Sequence, residues 1–133
     1  MNPIRVTFSL AVSMILCGCG FVHDERLTGN YRLIAVDVLE QMSVDRTLDS
    51  GSAVGRINET VFAVGWDQRY IVAKQHPDND RTVTNYYYLE MAKDSPFADP
   101  GASVTGPLAE AAFTQCKTEL KLPEFTRTFK ELQ

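Results

Sequence analysis

The segment Val61-Phe62-Ala63-Val64-Gly65-Trp66 constrains the fold more than any other stretch of the chain. As a strand it places Val61 and Ala63 on one face and Phe62, Val64 and Trp66 on the other. A strand that is apolar on both faces belongs inside a sheet that is covered on each side. Asp67-Gln68-Arg69 is a tight connection to a second strand, Tyr70–Gln75. After the polar turn Pro77–Arg81 a third strand is predicted over Thr82–Met91. There Val83, Tyr87, Leu89 and Met91 share one face, and Thr84, Tyr86, Tyr88 and Glu90 share the other. Tyr31–Leu39 is rich in residues that suit a pleated surface and is predicted as a fourth strand. Met42–Leu48 is a weaker extended segment, and Asp49-Ser50-Gly51-Ser52 is a turn by composition.

The C-terminal third reads differently. Ser95–Gly106 holds two prolines and two glycines and is predicted as a loop. Pro107 suits the first turn of a helix, Glu110 its positive end, and Lys117 and Lys121 its negative end. Leu108, Ala112, Phe113, Cys116 and Leu120 recur at helical spacing, which gives the helix one apolar face, and Pro123 stops it. Glu124–Leu132 fits either a short second helix or a strand, because Phe125-Thr126-Arg127-Thr128-Phe129 alternates as well as it rotates. The expectation is an α+β domain: an antiparallel β-meander of four to five strands, with one or two C-terminal helices packed on one face.

Few constellations in this chain carry chemistry. Gly51-Ser52-Ala53-Val54-Gly55 has its serine in the wrong place for a nucleophile elbow and precedes a strand, so it reads as a turn. Asp78-Asn79-Asp80 starts like a calcium loop but continues with Thr82, Val83 and Leu89 where oxygen ligands and glycine are needed. His23 and His76 are the two histidines, one in a charged N-terminal stretch and one before Pro77, which is too few for a zinc site. No acid, base and nucleophile set can be assembled, so no catalytic residue, metal or cofactor is expected. Tyr86 and Tyr88 are the candidate partner-binding residues: exposed, they are rings suited to protein contact, and covered by the helix, they are core.

The start of the chain is the most specific signal. Met1–Arg5 is short and basic, and Val6–Leu16 is an apolar run of 11 residues, too short for the roughly 20 that span a bilayer. Extending the run through Val22 takes in Thr7, Ser9, Ser13, Gly18 and Gly20, so a spanning helix is the weaker reading. The run ends in Leu16-Cys17-Gly18-Cys19. This resembles the lipobox of bacterial lipoproteins, with Cys17 where Ala or Ser is more usual. The resemblance implies that the Cys19 thiol takes a diacylglycerol, that residues 1–18 are cut away as a signal peptide, and that the new amino group is acylated, for instance by palmitate. Cys17 is the poorer acceptor because Leu16 would then stand at the cut. Gly20, where an Asp would favour the inner membrane, points to the periplasmic face of the outer membrane in a host with two membranes.

On this reading 19–29 is a lipidated tether, with His23-Asp24-Glu25-Arg26 as its charged centre, and 30–133 is a single domain. Cys116 is left as the sole thiol, with no intramolecular disulfide. Loss of Arg5 lowers the 13 basic side chains to 12 against 17 acidic, so the balance moves from −4 to −5. Such a chain lacks the basic footprint of a nucleic-acid binder, and its membrane attachment falls to the lipid on Cys19. The function expected is that of a non-enzymatic binding or structural module of the cell envelope with a protein partner. The alternative is an immunity, exclusion or inhibitor lipoprotein that neutralises a toxin or enzyme at the membrane.

Overall fold

A computed structural model describes residues 20–133; the lipobox and the expected signal peptide lie outside the described residues. Among the described residues nine strands form two antiparallel sheets, accompanied by a single α-helix. The first sheet is a meander of β1 (His23–Thr28), β2 (Tyr31–Ala35), β3 (Ser43–Thr47) and β4 (Ala53–Ile57), in that spatial order. The second contains β5 (Val61–Trp66), β6 (Tyr70–Gln75), β7 (Asn85–Glu90), β8 (Val104–Leu108) and the two-residue β9 (Arg127–Thr128), ordered β8-β7-β6-β5-β9. Helix α1 covers Glu110–Leu120. Antiparallel sheets with one helix fit the α+β class.

The two sheets share one core. Leu33, Val44 and Ile57 from the first, with Met42 just before β3, meet Val61, Val64, Ile71 and Leu89 from the second, all at most 1% exposed. Each such aliphatic side chain stabilises the fold by about 1.5–3 kcal/mol when fully buried. A second, smaller core lies on the other face of the second sheet, where Phe113 of α1 packs with Tyr70, Val72, Tyr86 and Leu122. The double coverage foreseen for Val61–Trp66 is therefore met, with β5 between β6 and β9 and buried from Val61 to Gly65.

The chain crosses between sheets at Asn58–Thr60, so the expected single meander is in fact two sheets, with Tyr31–Ala35 in the first. The crossing is pinned by backbone groups. Thr60 and His76 exchange N–H···O bonds of 3.1 and 2.9 Å, Val61 N–H donates to the Met42 carbonyl at 2.8 Å, and Gln75 Nε2 donates to the Asn58 carbonyl at 2.9 Å. Buried Gln75 also accepts from Asn85 Nδ2 and from the Tyr87 hydroxyl.

Three strands occupy segments expected to be irregular, and all three are at sheet edges. His23–Thr28, expected within the tether, is β1; its charged side chains suit an edge that must not pair further. Ala53–Ile57 is β4, although Gly51–Gly55 reads as a turn; only Arg56 and Ile57 of this strand are buried. Val104–Leu108 is β8, where an edge strand tolerates Pro107 and its register against β7 breaks between Tyr86 and Tyr88. In consequence α1 begins at Glu110 rather than Pro107, Leu108 belongs to β8, and Ala112 is exposed. Phe113, Cys116 and Leu120 supply the packed face. Lys121, in the left-handed conformation with φ 56°, ends the helix.

Past Pro123 the chain takes the extended alternative, then closes in a 3-10 turn at Lys130–Leu132. Thr126 N–H donates to the Val64 carbonyl at 2.9 Å and Phe129 N–H to the Phe62 carbonyl at 2.8 Å. This course explains a glycine inside a buried strand. A Cβ on Gly65 would run into the backbone carbonyl of Glu124, and neither backbone can retreat without breaking the β5–β9 pairing. Gly65→Ala is expected to cost about 3 kcal/mol, measured as a lowered midpoint in urea unfolding of the purified protein.

Candidate functional site

Residue by residue, the structure separates the groups that sequence reasoning singled out. Tyr86 lies beneath α1: its ring centroid is 5.1 Å from Phe113 and 6.3 Å from Phe125, and Lys74 Nζ sits 5.5 Å above the ring. Burial first, and then the negative charge of Glu110, push its phenol up from the ordinary value. Tyr88 is half-buried at the margin of the same core, edge-on to Tyr70 at 6.2 Å. The covered alternative therefore describes Tyr86, which is not a free contact residue; Tyr88 keeps part of its surface. Cys19 lies outside the described residues.

The groups most used in acid–base and thiol chemistry are packed into the fold, with His76 Nε2 buried and without a hydrogen-bond partner. The His76 ring is 3% exposed and stacked on Phe62 at 4.0 Å. Its Nδ1 lies 2.8 Å from the Val83 carbonyl, so this nitrogen carries the proton and donates. His23 Nε2 lies 2.9 Å from Glu25 Oε2, and its ring meets Phe129 edge-on. Cys116 is a free thiol, half-buried on the inner face of α1. Among the described residues no group of three or more His, Cys, Asp or Glu is placed to hold a metal ion. Among them, too, no helix is long and apolar enough to cross a membrane.

The densest charged constellation was not foreseen. Asp94, in the loop after β7, has a fully buried side chain. It accepts from the Tyr31 hydroxyl at 2.6 Å, from Arg56 Nε at 3.0 and 3.1 Å, and from Arg46 Nη1 at 3.2 Å. Arg56 also donates through Nη2 to the Ser95 carbonyl at 2.9 Å. Burial alone would push the Asp94 carboxyl up, but hydrogen bonds from Tyr31, Arg56 and Arg46 and attraction to Arg56 together hold it below the ordinary value. Tyr31 moves the opposite way: burial, then its bond to Asp94 and the charge of that carboxylate, push its phenol up to about 12.

Three surface features remain. Two shallow depressions share Glu59 and Asp78; Glu40 and Thr60 line one and Ser43 and Asp45 the other, so both are acidic. Burial pushes the Asp45 carboxyl up, opposed by a hydrogen bond from Ser43 and by Arg56. On the outer face of the first sheet a third depression, of about 220 Å³, brings Phe21, Asp24, Arg32 and Ile34 together. Phe21, Val22, Val36 and Val38, each about half exposed, gather where β1 begins and β2 ends. Phe97 is exposed alone, in the loop after Asp94.

A family model described as "Protein of unknown function (DUF3997)" matches residues 28–133. The chain belongs to this family. The DUF3997 match takes in β2 to β9, α1 and every member of the Asp94 cluster, and it starts downstream of Cys19 and of the Phe21-Val22 pair. No curated protein and no solved structure matches the chain.

The Asp94 cluster generates a stability test. Asp94→Ala would leave two buried or half-buried guanidinium groups without their shared carboxylate and is expected to cost about 3–5 kcal/mol, measured by denaturant unfolding at neutral pH. Because the folded pKa of Asp94 is depressed, its contribution is complete above the ordinary carboxylate range and is lost as pH falls through the folded value. For Tyr31 the folded pKa is raised, so its contribution is complete below pH 10 and disappears as pH rises toward 12. Phenolate absorbance during an alkaline titration should show a tyrosine ionising near 12, absent from Tyr31→Phe.

Proposed function

We infer that the chain is a lipid-anchored protein of the bacterial cell envelope whose folded domain works by binding rather than by catalysis. The observation that carries this reading is Leu16-Cys17-Gly18-Cys19 at the end of an 11-residue apolar run behind a basic start. Residues 1–18 are the leader and Cys19 bears the lipid, two acyl chains being enough for a stable anchor. With Gly20 next to Cys19, the periplasmic face of the outer membrane is its place in a host with two membranes. A binding role is supported by where the reactive side chains sit: His76 stacked in the core with Nδ1 hydrogen-bonded, His23 against Glu25 and Phe129, Cys116 on the inner face of the helix.

Metabolic labelling with palmitate is expected to mark the wild-type protein and Cys17→Ser, and to leave Cys19→Ser unmarked. Label persisting in Cys19→Ser overturns the assignment. For the binding role, cross-linking in intact cells followed by purification from membranes is expected to recover the anchored form with an envelope protein. Recovery of the anchored form alone counts against it.

The acidity of the two depressions around Glu59 and Asp78 favours one alternative, an immunity or inhibitor lipoprotein that caps a basic toxin or enzyme at the membrane. Both residues are exposed, and Glu59→Gln with Asp78→Asn removes both charges while keeping at 78 a side chain suited to its left-handed φ of 52°. Under the inhibitor reading this double variant loses the cross-linked partner; under the structural reading it retains it.

A further inference from the structure

Attachment through Cys19, on which this inference rests, meets an unexpected feature of the fold: almost no tether separates the lipid from the folded body. The backbone is already paired at Val22, whose N–H donates to the Val36 carbonyl at 3.2 Å, and β1 follows at His23. From Cys19 to Val22 the chain can extend by at most about 11 Å. The end of the first sheet is therefore held within reach of the headgroup layer, whatever the rest of the domain does.

That end is apolar. Phe21 is 52% exposed, Val22 51%, Val36 46% and Val38 50%, four of the six large hydrophobic side chains that remain exposed among the described residues. The Val22–Val36 bond brings two of them side by side, Phe21 precedes Val22, and Val38 follows Val36 by two residues. Exposed apolar groups collected at one place mark a contact surface, and an aromatic ring among aliphatic ones suits the boundary between headgroups and acyl chains. Of the charges beside it, Asp24 is paired with Arg32 at 2.6 Å and Asp37 is acidic, which leaves no free basic group among them. Attraction to anionic lipid is thus not the driving force, and the surface suited to this patch is a neutral phospholipid one.

We propose that Phe21, Val22, Val36 and Val38 form a foot that dips into the bilayer beside the lipid on Cys19 and so fixes the orientation of the domain on the membrane. The foot lies at the open end of the β1–β2 hairpin, with β1 leading away from it toward Gly29. The lipid supplies attachment, and the foot supplies direction.

The test uses the lipidated protein purified from membranes and reconstituted in phosphatidylcholine vesicles, with and without bromine on the acyl chains. Phe21→Trp and Val38→Trp each add an emitter at the foot, while the native Trp66 sits half-buried in β5 as an internal reference. The added emission is expected to fall by the greater part in brominated vesicles at both positions, with the Trp66 emission of the unsubstituted protein unchanged. Lipidated protein whose added emission is unquenched at both positions overturns the foot but leaves the anchor standing. Unquenched emission that shifts to the blue with protein density also overturns it, and reports a second copy or another protein on the patch. Mass spectrometry of the same preparation reads the lipid on Cys19 independently, and a chain without it overturns the anchor and the foot together.

Discussion

A single carboxylate holds the two sheets in their mutual position. Asp94 comes from the loop after β7, whereas Tyr31, Arg46 and Arg56 come from β2, β3 and β4, so three consecutive strands of one sheet converge on one group from the other. Removing these charges from water is costly, and a buried ion pair is weak evidence for net stability. Its value lies in direction. Apolar surfaces slide over one another at little cost, but a carboxylate that receives hydrogen bonds from three side chains accepts one placement. The opposite flank, where β1 approaches β9, is joined more loosely by Arg127 to Glu25 at 3.3 Å and by the edge contact of His23 with Phe129. An exposed pair of that kind contributes about 0–1 kcal/mol. The sandwich is thus clamped on one side and lightly fastened on the other.

The centre of the molecule was legible in the residues and its rim was not. Val61–Trp66 and Tyr70–Gln75 coincide with β5 and β6 because a strand buried on both faces leaves an unmistakable run of apolar residues. The same logic lost β1, β4 and β8. Edge strands need few buried residues, so His23–Thr28 is written in charges, Ala53–Ile57 in small residues, and Val104–Leu108 around a glycine and a proline. Missing those edges merged two sheets into one and carried the helix start back to Pro107. The Asp94 cluster was hidden for a different reason. Its members stand 63, 48 and 38 positions apart from Asp94 along the chain, and an aspartate that follows a lysine and opens a loop resembles any surface residue until the sheets are brought together.

The surface features were legible only in part. Tyr86 and Tyr88 were correctly placed on one face of a strand, but which face the helix chose depended on packing that periodicity does not encode. The hydrophobic residues that stay exposed near the start of the fold look unexceptional in sequence: Phe21 and Val22 extend the apolar N-terminal run, and Val36 and Val38 extend an apolar strand. Both of the latter lie past the end of β2 at Ala35 and are about half exposed. The proposed lipid attachment and the DUF3997 match bear on separate stretches of the chain, the one on Cys19, the other on residues from Thr28 onward.

The pairing of β9 with β5 sets an order of assembly. Strand β5 sits near the middle of the sequence, yet one of its two neighbours is Arg127–Thr128, and Leu132, 1% exposed, plugs the core that β5 shares with the first sheet. The first sheet is sequential and can form as its strands emerge, whereas the second keeps an open flank on its most apolar strand until residues beyond 122 arrive. A chain emerging at about 5–20 residues per second would carry that flank uncovered from Trp66 until Arg127 appears. The domain therefore closes late and from its C-terminal end. Until it does, β5 is a sticky edge that a chaperone or a neighbouring nascent chain can occupy.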